Sequence, residues 1–422
     1  MTLLDFFSAP RSQAAERLDS VVWPRDAHYD DDGRLLLGGV ALTELADRFG
    51  TPVRVLDEPE IRARCRAYRK TFHEAEIGYC ESALPLGAVA GWVAEEGLSV
   101  AVGTPDELSA ALVAGIDPAR IIMHGNGSAA AVEAAVAHGV GRITLSSFTE
   151  ITLLATIATR RQRVLLHLAP QIDVHGHQDE SLGFTLGAEA TAAVERVLSL
   201  PGLELIGFHC ALGAQIYNPD HYGEAIRRMV TVMAEVRADH DVILTDLDLG
   251  GGHAIAYRAG DAEMNLTELA AIVEDALDAA CARWRFPRPN VALEPGRGIV
   301  ARAGVTLYRV LSVKHHDGGF ASVVVDSGSR CGTTDYRSGL VVANRLTTGS
   351  ALTATIAGRA GDDILATGVH LPADLHVGDL LAAPCTGAYQ RDMVRTPVVA
   401  VRDGRFQQLV ARDPGLLDRD AS

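Results

Sequence analysis

Lysine is almost missing from this chain: of its 38 basic residues only Lys70 and Lys314 are lysines. An aldehyde cofactor that needs a protein amine therefore has just two possible anchors. Cysteine is sparse as well, with Cys65, Cys80, Cys210, Cys281, Cys331 and Cys385 scattered and no CxxC pair. That spacing offers neither a disulfide framework nor a zinc site, and no metal site is expected. A net charge of −16 leaves no clustered basic face of the kind nucleic acids require. No apolar run reaches the roughly 18 residues that span a bilayer, and the N-terminus, with Asp5 and no basic flank, does not read as a signal peptide. These absences predict a cytoplasmic protein whose partner is a small molecule or another protein, with no nucleic acid and no membrane.

What is present is enough for two domains: 422 residues, 48% of them hydrophobic. Eight short apolar or β-branched runs alternate with helical patterns, at Ile77–Cys80, Leu98–Val102, Arg120–His124, Arg142–Ser146, Arg163–Leu168, Leu203–Cys210, Val242–Leu249 and Asn290–Glu294. Alanine-rich amphipathic stretches such as Pro105–Ala114, Ala129–His138 and Asn265–Trp284 lie between them. Strand and helix alternating in this way predict an α/β fold, a (β/α)8 TIM-like barrel. After Arg297 the texture changes to strands broken by Gly, Asp and Pro, namely Val305–Val313, Ala321–Val325, Leu352–Ile356 and Val398–Val401. The expected organisation is an N-terminal segment (1–48) joining a β-rich domain (304–422), with the barrel at 49–303. Internal repeats and low-complexity tracts are absent from the sequence.

Three segments are placed by this pattern at the C-terminal ends of barrel strands, where barrel active sites lie: His209–Gln215, Gly250–Gly252 and Glu294–Arg297. Consecutive glycines let backbone N–H groups approach a phosphate, and an arginine such as Arg297 can fork two hydrogen bonds onto its oxygens.

The motifs Asp32-Gly33-Arg34-Leu35, Phe49-Gly50-Thr51-Pro52, His124-Gly125-Asn126-Gly127, Leu249-Gly250-Gly251-Gly252, Glu294-Pro295-Gly296-Arg297 and Gly387-Ala388-Tyr389, followed by Met393, run in order along the chain. In order and spacing they resemble the fold-type III pyridoxal-phosphate (PLP) decarboxylases of the diaminopimelate/ornithine type. The resemblance implies an alanine-racemase-like barrel plus a β domain, usually a head-to-tail homodimer with residues of both subunits at each site. It also implies that Gly250, Gly251, Gly252, Arg297 and Tyr389 contact the cofactor phosphate and that Glu294 pairs with the pyridine nitrogen. A carboxylate there keeps the ring nitrogen protonated and strengthens the electron sink.

Several family positions are altered. The Tyr-Ala-x-Lys-Ala-Asn run that carries the Schiff-base lysine reads Tyr79-Cys80-Glu81-Ser82-Ala83-Leu84, so Ser82 stands where the amine is needed. In His209-Cys210-Ala211-Leu212-Gly213-Ala214-Gln215 the ring-stacking histidine is replaced by Ala211 and the phosphate-binding hydroxyl by Ala214. The family's Ser-Lys-Phe-Gly run is Glu180-Ser181-Leu182-Gly183, and the run that brings a cysteine from the other subunit is Arg359-Ala360-Gly361-Asp362-Asp363. Lys70, amid Arg62, Arg66 and Arg69, reads as a solvated helix residue, and Lys314 follows a strand remote from the cofactor in the family. His175 and His177, His315 and His316 read as loop histidines, and Cys331 and Cys385 as ordinary thiols. His209 and Arg359, which border the altered positions, are the acid/base candidates.

Two functions are expected to compete: a divergent decarboxylase or lyase that binds PLP, or a phosphate-bearing adduct, without covalent attachment, and a catalytically silent paralogue that pairs with or regulates an active decarboxylase. The expected assemblies differ accordingly, a homodimer in the first case and a heterodimer with an active homologue in the second.

Overall fold

The structure is a computed structural model and describes residues 18–174, 183–327, 339–348, 350–359, 363–389 and 396–412. His175, His177, the Glu180–Leu182 run, Cys331, Ala360–Asp362 and Met393 lie outside those residues.

Eight parallel strands close into a barrel in chain order: Glu76–Cys80, Ser99–Val102, Ile121–His124, Arg142–Leu145, Gln162–Ala169, Leu203–His209, Asp246–Asp248 and Asn290–Leu293. Closure is made by the last strand against the first, Ala292 opposite Glu76 and Leu293 opposite Ile77. Each strand falls where its apolar run predicted it, within a few residues. The reason is that parallel strands are buried on both faces and so read as nearly continuous apolar sequence. Val100, Val102, Ile143, Leu145, Val164 and Leu166 are all buried, each contributing about 1.5–3 kcal/mol on leaving water. The alternate positions Arg142, Thr144, His167, His209 and Asp248 are equally buried but polar. A barrel interior is ordinarily filled by branched apolar side chains, so this one is set apart for electrostatics.

Helices start where short polar side chains cap them: Thr104 accepts from the Glu107 amide with Pro105 in the first turn, Ser147 from Glu150, and Asn265 from Thr267 and Glu268. The longest, Asp220–His240 and Leu266–Trp284, are tied together where Trp284 Nε1 donates to Thr231 Oγ1 at 3.1 Å. Among the described residues no helix is long and apolar enough to cross a membrane.

A second sheet runs in the order Ile364–Pro372, Ala351–Ala357, Phe320–Val325, Gly304–His316, Val53–Asp57, Val398–Arg402 and Arg405–Val410. Residues 53–57, inside the stretch expected of the barrel, pair antiparallel with Gly304–Leu307 and parallel with Val398–Val401. From Asp57, whose carboxylate caps the next helix, Glu58–Thr71 carries the chain into the first barrel strand. Upstream, His28–Tyr29, Leu35–Leu37 and Val40–Ala41 form a three-stranded sheet bonded to the β domain through Leu35 N to Ala343 O and Gly404 N to Gly38 O.

Candidate active site

A cavity of about 410 Å³ opens at the C-terminal ends of the barrel strands. Its wall includes Ser82, His124, His167, His209, Gly251, Gly252, Glu294, Arg297 and Tyr389, which come from the ends of six different barrel strands and, for Tyr389, from the β domain. Ala211 and Ala214 line it too, so the positions where the family carries an imidazole and a hydroxyl present methyl groups to the same space.

The glycine turn is fixed by its neighbours. Gly250 donates its amide to Asp248 Oδ1 at 2.9 Å and accepts from the Glu294 amide at 2.7 Å. A Cβ on Gly251 would sit 2.3 Å from the Glu294 carbonyl oxygen, and one on Gly252, at φ 90°, 2.3 Å from Gly213 O. No larger residue fits either place. From below, Tyr222 donates its hydroxyl to Gly251 O at 2.5 Å, and Tyr68 Oη meets His253 Nδ1 at 3.0 Å.

Arg297 opens a short helical turn, Arg297–Val300, directly after the eighth strand. Its Nη1 donates to the Tyr257 hydroxyl at 3.1 Å, and its guanidinium carbon lies 5.1 Å from the centre of the Tyr389 ring. Tyr389 reaches the barrel because Gly387 lies flat against it: a Cβ there would be 1.9 Å from Val300 O. The Tyr389 amide then bonds Ala83 O at 2.8 Å, next door to Ser82. Ser82 Oγ stands 3.2 Å from Cys80 Sγ.

Glu294 is held between two imidazoles, with His124 Nε2 at 2.9 Å and His209 Nε2 at 3.7 Å from Oε2. Burial pushes the Glu294 carboxyl up, but the charge and hydrogen bond of His124, with His209 and Arg142 behind, hold it below the usual carboxylate range. His124 is raised in return, Glu294 outweighing its burial. His209 is pushed far down by burial and by its neighbours His167 and His124, so it is neutral near pH 7, and its Nδ1 is buried without a hydrogen-bond partner among the described residues. Behind this cluster Arg142 binds Glu76 at 2.7 Å and approaches Asp248 at 3.6 Å.

The structure thus brings together Ser82, His209, Gly251, Gly252, Glu294, Arg297 and Tyr389, with Gly250 completing the turn. Arg359 is exposed beyond the strand Ala351–Ala357 and does not line the cavity of its own chain. Lys70 and Lys314 are both exposed, and neither lines the cavity. Sequence reasoning assigned no role to His124, His167, His253 or Tyr257. His124 and His167 sit at C-terminal ends of strands, the same signal that found Glu294; His253 and Tyr257 follow the glycine turn with no pattern of their own.

The residues present fit PLP at two ends. Arg297, Tyr389 and the glycine turn suit a phosphate, and an ionised Glu294 suits a protonated pyridine nitrogen.

Residues 58–301 match the family model described as pyridoxal-dependent decarboxylase, pyridoxal binding domain. The chain is 41% identical to a diaminopimelate decarboxylase of Actinosynnema pretiosum, over 98% of each chain. It is 33% identical to that of Corynebacterium efficiens, over 96% of this chain and 95% of the other. The fold superposes on the solved structure of AQ1208 from Aquifex aeolicus with a TM-score of 0.80 and 26% identity, covering 94% and 97% of the two chains. On the diaminopimelate decarboxylase of M. jannaschii, solved with L-lysine, the TM-score is 0.83 at 21% identity, covering 92% and 95%.

Proposed function

Because this chain belongs to the family of pyridoxal-dependent decarboxylases, we propose that it is a divergent member which binds PLP, or a ready-made PLP–amino acid adduct, without a covalent bond to the protein and acts on an amino acid as a decarboxylase or lyase. The family's cofactor is PLP, which when bound supplies the electron sink for losing carbon dioxide from the α-carbon. The observation that supports the reading is the gathering of Arg297, Tyr389, Gly251, Gly252 and Glu294 around one cavity, which Ser82 also lines. Arg297 and Tyr389 hold the phosphate. Glu294, kept ionised by His124, holds a proton on the ring nitrogen. His209, which lines the cavity beside Glu294, is the acid/base candidate of this reading. Diaminopimelate, named for the relatives, is the substrate class the reading favours, in a cytoplasmic homodimer where Arg359 faces the neighbouring subunit's cavity.

The methyl groups of Ala211 and Ala214 on the same wall favour a second reading, a silent paralogue that pairs with an active decarboxylase. One experiment separates the two. Purified protein is mixed with PLP, followed by absorption, reduced with borohydride and mass-analysed. Saturable uptake that leaves no pyridoxyl adduct and fails in Arg297→Ala supports the enzyme. Absence of uptake, with a lysine-bearing homologue co-purifying, supports the silent partner. A pyridoxyl adduct on Lys70 or Lys314 refutes both.

A further inference from the structure

At the end of the cavity where the pyridine ring would lie, three side chains converge from strands far apart in sequence. His124 closes the third barrel strand, His209 the sixth, and Glu294 follows the eighth. One ligand atom from each lies within 4.8 Å of the other two. Glu294 Oε2 is 2.9 Å from His124 Nε2 and 3.7 Å from His209 Nε2. Around an ion with bonds of about 2.0–2.1 Å, tetrahedral ligand atoms stand roughly 3.3–3.5 Å apart. The two spacings to Glu294 bracket that value, and the third, between the imidazoles, is no more than 4.8 Å.

We propose that His124, His209 and Glu294 form a binding site for a divalent first-row transition metal ion, with open coordination positions facing the cavity. Two imidazoles and one carboxylate are the donor set that takes zinc or ferrous iron while leaving room for a further ligand. The replacements described above favour the ion. A lysine ammonium at position 82 would repel it, and Ser82 does not. The imidazole that the family stacks over the ring is Ala211, which leaves open space beside the three ligands. A third imidazole, His167, packs edge-on against His209 at 4.7 Å between ring centres. Arg142 is nearby, but Glu76 and Asp248 offset its charge from behind. The open positions suit water or the carboxylate of an amino acid. Ion and pyridine ring would compete for Glu294, so the inference goes beyond the proposed function and names a second occupant of the same carboxylate.

Full-length protein stripped with a chelator is titrated with cobalt(II) alone, read by calorimetry and by ligand-field absorption. One ion per chain is expected, with a tetrahedral or five-coordinate spectrum. His124→Gln and His209→Gln keep the polarity of the interior and are checked for folding by circular dichroism. Each should weaken binding by more than the roughly 10–100-fold that loss of a supporting residue costs. Addition of PLP should displace the cobalt spectrum. Binding of equal strength in both variants, or none by the folded wild type, would overturn the site. Arg297→Ala keeps the three ligands, so it separates the two ideas: cobalt bound with PLP uptake lost leaves the metal site standing, whereas wild-type PLP uptake dependent on Arg297 without any cobalt binding leaves only the proposed function.

Discussion

Glu81 is wholly buried, and neither carboxylate oxygen has a hydrogen-bond partner among the described residues. Burial, with a smaller push from Glu107, raises its carboxyl from 4.5 to about 8. The fold therefore carries this side chain as a neutral acid, while the unfolded chain releases the proton near pH 4.5. Between those values the native state binds more protons than the unfolded state, so stability must fall as pH rises. It is fully present below pH 4.5 and lost on the way to pH 8. Each tenfold step in proton affinity is about 1.4 kcal/mol, which makes the cost about 3 kcal/mol at pH 7 and about 4–5 kcal/mol above pH 8, as an upper bound. Replacing the acid by a residue of similar bulk without a charge, Glu81→Leu, should remove this dependence. At 422 residues each kcal/mol moves a melting temperature by only about 1 °C. The variant's Tm relative to wild type should accordingly rise by about 4 °C between pH 5 and pH 8.5. Scanning calorimetry of both proteins across that range is the assay. Parallel curves, with a constant gap at every pH, would mean that the carboxyl does not titrate there and that the reasoning from its isolation is wrong.

Ser82→Lys should restore an amine at the mouth of the cavity, and borohydride should then trap a pyridoxyl group on residue 82; a trapped group elsewhere, or none despite PLP uptake, would count against the ring orientation argued from Glu294. Tyr222→Phe removes the hydroxyl that bonds the Gly251 carbonyl and should cost about 0.5–1.5 kcal/mol in denaturant unfolding, together with weaker PLP uptake as the glycine turn loosens. In the β domain Arg345 grips the buried Asp379 at 2.8 Å and Asp374 at 3.0 Å. Burial raises the Asp379 carboxyl, but the hydrogen bond from Arg345 and its neighbours bring it below 3.8, so its contribution is present above that pH and lost as the solution is acidified. Arg345→Ala should cost about 2–3 kcal/mol at pH 7, a penalty that shrinks below pH 4 when followed by urea unfolding.

The barrel was legible because its strands are buried on both faces and announce themselves as apolar runs, and the site because Gly250–Gly252 and Glu294–Arg297 end two of them. Pairing across the second sheet was not: nothing in Val53–Asp57 distinguishes a barrel strand from one that bonds to residues 304–307 and 398–401. The grouping of His124, His209 and Glu294 was hidden for a similar reason. Ligand-bearing motifs are read by local spacing, and here closure of the barrel supplies the proximity. Glu81 occupied a position the family leaves unspecified, so its isolation became visible only with the packing around it.

Tyr389 makes the cavity a joint property of two folding units. Because Gly387 rests on Val300 and the Tyr389 amide is tied to Ala83, any swing of the β domain away from the barrel withdraws the phenol from Arg297. Ligand occupancy then reports on whether the two halves are seated, and a molecule filling the pocket would act as a clasp between them.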